Sequence, residues 1–198
     1  MAAIGSDQVR ELRDRSGAPM MDCKRALDET QGDMSQAAEW LRKKGIASAA
    51  KKSGRTANEG LIHSYVHHNG RVGVLVEINC ESDFVTKTER FKVFCSDVAM
   101  HIASMSPRYV TRDQVPPEVV EKEREILRAQ VDAKKPKEIQ DKILEGKLSS
   151  FFGEVCLMDQ PFVKDGSKTI EQYRAEAVGV IGENIVIRRF TRYDLGGE

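Results

Sequence analysis

Three histidines crowd one short stretch, His63, His67 and His68 in "GLIHSYVHH", and Cys80 follows in the return segment. Imidazole and thiolate are the ligands of a zinc centre. His63 and His67 share a strand face on either side of Tyr65, yet further ligands at compatible spacing are missing. Cys80 lies at the opposite end of the return strand. The stretch therefore reads as satisfied or exposed strand histidines, and neither a metal nor a cofactor is expected. A nucleophilic Cys80 would need a base such as histidine placed by a motif, and none is present. The sequence carries no phosphate loop G-x-x-x-x-G-K-[ST], no G-x-G-x-x-G, no G-x-S-x-G and no H-E-x-x-H. Carboxylates are plentiful, but none sits in a recognisable acid/base pair. His101 falls near the apolar side of a helix and reads as a half-buried structural residue.

Two other features suit contact chemistry better than bond-making. Met20 and Met21 are adjacent at the start of a helical segment. Neighbouring helical residues point about 100° apart, so both cannot enter one small core. Either Met21 is core with Met20 beside it, or a methionine lies at the rim, where its adaptable thioether suits a partner. The second feature is "SDFV", Ser82 to Val85, between the strand-like "VGVLVEI" and the helix-like "ERFKVFCSDVAMHIASM". Phe84 or Val85 can be a hydrophobic staple packed on the following helix, with Asp83 as turn former. Alternatively Phe84 is an exposed wedge for a partner protein. Spacing leaves both readings open.

The elements that must position these residues follow from pattern. Of 198 residues, 40% are hydrophobic, enough for a real core. Lysine plus arginine equals aspartate plus glutamate at 31 each, which argues against a general nucleic-acid binder. The local runs "RKK" at 42–44, "KK" at 51–52 and "RR" at 188–189 read as solvated helix ends and a strand face. The rival reading is an RNA-associated adaptor. The start "MAAIGSDQVRELRDR" lacks the charged-then-apolar form of a secretory signal, and no run approaches the roughly 18 apolar residues of a membrane span. A cytoplasmic protein with four reduced, mostly buried cysteines is expected.

Residues 6–45 read as three short helices, capped at Ser6 and Asp33, opened by Pro19, and ended at Gly17, Gly32 and Gly45. A linker follows. "GLIHSYVHH" and "RVGVLVEINC" alternate as a hairpin around a type I′ turn at Asn69-Gly70. Thr86 caps a core-facing helix carrying Phe91, Phe94, Val98, Ile102 and Met105. Beyond the Pro-marked "SPRYVTRDQVPPE" comes a charged helix turning Val119, Ile126 and Leu127 inward. Two short helices broken at Gly146 follow, then a helix over "IEQYRAEAVGVI" capped at Thr169 and ended by Gly182. "NIVIRRFTRY" is a last strand. The fold class is α+β: an N-terminal three-helix module, then an antiparallel sheet of at least three strands packed with helices.

"VRELRDRSGAPMMDCKRAL" and "NCESDFV" together resemble the two signatures of bacterial elongation factor Ts, and "QPFVKD" and "IGENIVIRRF" resemble its later segments. The resemblance covers nearly the whole chain and is to the short form of the family. It implies a ubiquitin-associated-like module over 1–46, a linker over 47–58, and an α+β core with a three-stranded sheet over 59–198 that also dimerises. It implies guanine-nucleotide exchange on elongation factor Tu, in its GDP-bound and nucleotide-free forms, without covalent chemistry. It implies a homodimer within a two-plus-two complex, and no membrane or direct nucleic-acid site. By the same resemblance the exchange element is Ser82, Asp83, Phe84 and Val85, with the Asp-Phe pair acting near the partner's magnesium. Leu12, Met20 and Met21 are the further partner contacts. Ser82 stands where the family usually has threonine, which keeps the hydroxyl.

Overall fold

The computed structural model describes residues 4–132 and 135–197. The expected continuation of the charged helix through Ala133 and Lys134, and the chain ends of the expected module and core, lie outside them. In order, the elements are α1 (Ser6–Ser16), α2 (Met20–Glu29), α3 (Met34–Lys52), β1 (Glu59–Val66), β2 (Val72–Cys80) and the short turn α4 (Asp83–Thr86). There follow α5 (Glu89–Met105), α6 (Pro117–Ala129), α7 (Lys137–Val155), β3 (Pro161–Phe162), β4 (Asp165–Thr169), α8 (Ile170–Ile181) and β5 (Val186–Asp194). The antiparallel three-stranded sheet has the order β1-β2-β5, and β3 pairs with β4 in a small second sheet. The α+β class expected from the sequence is the one observed.

Two compact units divide the chain. One comprises the chain up to Leu61, Ile78–Cys95 and Gln172–Val186; the other comprises Ile62–Glu77, Ser96–Glu171 and the chain from Ile187 on.

In the first unit, α1 to α3 close around Val9, Leu12, Ala18, Cys23, Ala26, Leu27 and Ala37, with Trp40 and Leu41 at the margin. α1 opens with Gly5, one residue before the expected cap, and the Gly5 N–H donates to Gln8 Oε1 at 3.2 Å. Gly17 ends it with φ +67°, a left-handed conformation that glycine adopts without a Cβ clash. Asp33 caps α3, its carboxylate accepting the Ser35 and Gln36 N–H groups at 2.9 Å. The expected stop at Gly45 is not there: α3 runs on to Lys52. Gly45 instead allows close helix crossing. A Cβ on it would lie 3.4 Å from the Ala175 carbonyl oxygen, and a Cβ on Gly179 would lie 3.2 Å from the Gly45 Cα. The first half of the expected linker is therefore helix, because tertiary packing uses the missing side chain that a sequence reading takes as a breaker.

In the second unit, the hairpin tip is not type I′. Asn69 is absent from the positive-φ residues, and only Gly70 is left-handed, at φ +68°. The Gly70 N–H donates to the His67 carbonyl at 2.8 Å, and the His67 N–H to the Val72 carbonyl at 2.8 Å. The bend is thus centred on His68 and Asn69, with Gly70 following it, and the loop is longer than two residues. α6 faces α7 through Val120, Leu127, Leu144 and Leu148. Ile126, expected to turn inward, is exposed. α7 is one helix through Gly146 and not two short ones. His101 is buried outright: its Nε2 lies 3.0 Å from Gln160 Oε1, and its Nδ1 accepts the Val163 N–H at 3.2 Å. That pattern places the proton on Nε2. Burial pushes its pKa below the ordinary 6.5.

α5 buries Phe91, Phe94, Cys95, Val98, Ala99 and Ile102, as its spacing predicts, while Met105 stays exposed. No helix among the described residues is long and apolar enough to cross a membrane.

Candidate functional site

β2 delivers the chain to the site. Its last residues Ile78, Asn79 and Cys80 are buried, and Asn79 Nδ2 donates to the Glu59 carbonyl at 3.2 Å. Gly60 sits beside them with φ +151°. A Cβ there would lie 2.2 Å from the Ile78 carbonyl oxygen and 2.7 Å from the Asn79 Cα, so this approach of β1 to the end of β2 excludes any side chain. Past Cys80 the backbone stays extended through Ser82, at φ −130° and ψ 153°, and then coils into α4.

α4 separates its two apolar residues. Val85 is 8% exposed and faces inward, while Phe84 is 75% exposed. Of the two apolar residues, Val85 is the enclosed one and Phe84 the exposed one. Asp83 Oδ2 accepts a hydrogen bond from Lys87 Nζ at 2.7 Å, one helical turn on, and the same ammonium lies 5.4 Å from the centre of the Phe84 ring. Acid, ammonium and ring form one exposed group. Thr86 does not cap the next helix: its Oγ1 donates to the Asp83 carbonyl at 2.6 Å. Thr88 takes that place, accepting the Phe91 N–H at 3.4 Å while donating to the Val85 carbonyl at 2.7 Å. The capping-box spacing misled because a helical turn already occupies 83–86.

Ser82 points away from the exposed group. Its Oγ donates to Glu183 Oε1 at 2.6 Å, and the Glu81 and Ser82 N–H groups both donate to Glu183 Oε2 at 3.0 Å. Glu81 Oε1 in turn accepts the Asn184 N–H at 2.6 Å. Sequence reasoning missed Glu183 and Asn184 as parts of the site. They are about a hundred positions away and no spacing rule connects them, although "IGENIVIRRF" had marked the segment.

Cys80 is buried and held as a thiol. Its thiol donates to the Ser82 carbonyl at 3.2 Å, and burial, with the Glu183 charge second, pushes its pKa up to about 11. Cys95 is pushed up to about 12, again by burial first. The hairpin histidines pair locally: Tyr65 Oη lies 3.0 Å from His67 Nδ1, and the His67 and His68 rings are 4.2 Å apart.

Within the helical module, Met20 and Met21 are 43% and 67% exposed, so the second methionine is not core. Pro19 precedes them, and Asp22 in the same turn pairs with Lys44 of α3. Arg90 Nη1 donates to the Gly17 carbonyl at 2.7 Å and fixes the corner between α1 and α2. Leu12 stands apart from the methionines. It is 1% exposed, enclosed in the core of the three-helix module, so it is not the surface contact expected from the sequence.

The basic runs are largely tied to carboxylates: Lys43 to Glu39, Lys44 to Asp22, and Arg188 and Arg189 to Glu77. Among the described residues no cluster of three metal-ligating side chains occurs. The site is an α+β scaffold that sets an exposed aromatic ring beside a carboxylate on a short turn.

The chain belongs to the elongation factor Ts family. The sequence model of the family described as Elongation factor TS matches residues 47–197. A curated relative named Elongation factor Ts from Carboxydothermus hydrogenoformans is 57% identical over 194 residues, covering 98% of this chain and 89% of the relative. Relatives of the same name from Geotalea uraniireducens and Acetivibrio thermocellus are each 54% identical, covering 98% of this chain and 90% of theirs.

Proposed function

We propose that this chain promotes exchange of GDP for GTP on elongation factor Tu, using Asp83 and Phe84 as the exchange element. The observation that carries the reading is the exposed Phe84 beside Asp83 on a short, anchored turn. A phenylalanine left in water forgoes about 2 kcal/mol of burial. A partner groove recovers that energy. Magnesium and nucleotide phosphates hold one another through charge and fixed octahedral geometry. A ring pressed in beside that site displaces the groups that position the metal's ligands. The Asp83 carboxylate, released from Lys87, then holds donors of the opened arrangement. No covalent bond forms or breaks.

Exchange in this reading is linkage. The chain binds the nucleotide-free partner more tightly than the loaded one, and nucleotide weakens the chain by the same ratio. Met20 and Met21 give a second contact, carried by the helical module whose core holds Leu12. The functional division is a contact module over 1–46, a connector over 47–58 and a core over 59–198. The core also pairs with a second copy, giving two copies of each factor. Ile62, Val66 and Leu75, exposed apolar side chains of β1 and β2, support that pairing. This reading places the protein in the cytoplasm, free of metal and cofactor.

Release of labelled GDP from elongation factor Tu tests it. Substoichiometric protein should accelerate release, and Phe84→Ala should cut the acceleration more than about tenfold with the fold intact. Normal acceleration by folded Phe84→Ala sinks the reading.

A further inference from the structure

We infer that Glu183 is a positioning residue that presets the Asp83–Phe84 turn. The inference rests on the exchange reading above and concerns a residue which that reading does not use. After β2 the chain needs acceptors for the N–H groups of Glu81 and Ser82. Both go to one oxygen of Glu183, Oε2, each at 3.0 Å, and the Ser82 hydroxyl goes to the other oxygen at 2.6 Å. Hydrogen bonds to an ionised acceptor are about twice as strong as neutral ones. Three on one carboxylate fix both the path and the rotation of the chain entering α4.

The clamp is reciprocal. Glu81 Oε1 accepts the Asn184 N–H at 2.6 Å and pairs with Arg55 at 3.6 Å. Asn184 Nδ2 donates to the Arg55 carbonyl at 2.9 Å. The segment Gly182–Asn184, which leaves α8, therefore fastens the turn and the chain just past α3 at once. This rigidity has a purpose at Phe84. An exposed ring on a loose loop folds back onto nearby apolar surface. A turn nailed down on its entry side keeps the ring presented, so the competent state is populated before the partner arrives. Loosening the clamp lowers that population while the Met20–Met21 contact persists.

GDP release is measured at rising concentrations of the full-length protein. Glu183→Ala should lower the maximal release rate about tenfold, with the half-saturating concentration within about twofold of the parent. Glu183→Gln, which keeps one acceptor oxygen, should recover part of the loss. In a background carrying both Asp83→Ala and Phe84→Ala, Glu183→Ala should cost nothing more, because the clamp acts only through the turn it presents. If Glu183→Ala melts below the assay temperature, Ser82→Ala, which removes one of the three bonds, carries the same comparison with a loss of about threefold. A further loss when Glu183→Ala is added to the background lacking both Asp83 and Phe84 overturns the inference, as does an unslowed Glu183→Ala beside a slowed Phe84→Ala. An unslowed Phe84→Ala overturns the exchange reading itself.

Discussion

Phe84 and Val85 differ by one position and by everything that matters energetically. Val85 is enclosed, so Val85→Ala should destabilise the protein by about 1–2 kcal/mol in urea unfolding. Phe84 contributes little to folding, so Phe84→Ala should leave the midpoint nearly unchanged while exchange fails. A midpoint shifted as far as that of Val85→Ala would return Phe84 to the role of staple. At His101 the sign of the pH dependence is fixed by its surroundings. Its folded pKa lies below 6.5 because the ring is buried, with Gln160 and Val163 occupying both nitrogens. Below about pH 6.5 the unfolded chain takes up a proton that the folded chain refuses. The stability tied to neutral His101 is therefore complete above that pH and falls as pH drops toward the folded pKa. Urea unfolding at pH 7 and pH 5 should show a smaller loss in His101→Asn than in the parent.

Among the elements, glycines that look alike in sequence do different things. Gly146 lies inside α7 with open space where a Cβ would go, so Gly146→Ala should raise stability by about 0.5–1 kcal/mol through helix propensity. Gly60→Ala should lower it by more than about 2 kcal/mol, since the new Cβ meets the Ile78 carbonyl at 2.2 Å on a left-handed backbone. Thermal melts of the two variants should move in opposite directions. The periodic apolar faces of α5 and β2 were legible because burial of one face imposes a period on the sequence. The stops expected at Gly45 and Gly146 were not: Gly45 serves a close approach that only its neighbour reveals, and Gly146 is simply carried in the interior of α7 with open space beside it. At Gly45 the neighbour is α8.

At the scale of the molecule, the three-helix module and the Asp83–Thr86 turn belong to one compact unit, which also holds Gln172–Val186. The proposed pairing of two copies predicts dimers in sedimentation. Placing glutamates at Ile62 and Val66 together should give monomers that still fold, because these side chains are exposed in the single chain. Monomers from the unaltered protein would remove the two-plus-two assembly while leaving exchange on elongation factor Tu untouched.

By itself the sequence determined the α+β class, the three N-terminal helices, the core face of α5 and the candidate residues at "SDFV" and "MM". The helices and the core face of α5 are local properties that rest on spacing within a few turns of one element, whereas the roles expected at "SDFV" and "MM" rest on the family resemblance. Only the tertiary structure decided which of Phe84 and Val85 faces water, that Leu12 is enclosed while Met20 and Met21 are exposed, and that Glu183 grips Ser82. Those outcomes depend on which distant segment fills the space beside each residue. Glu183 meets Ser82 across 101 positions of chain, a separation at which folding alone brings a carboxylate to a hydroxyl.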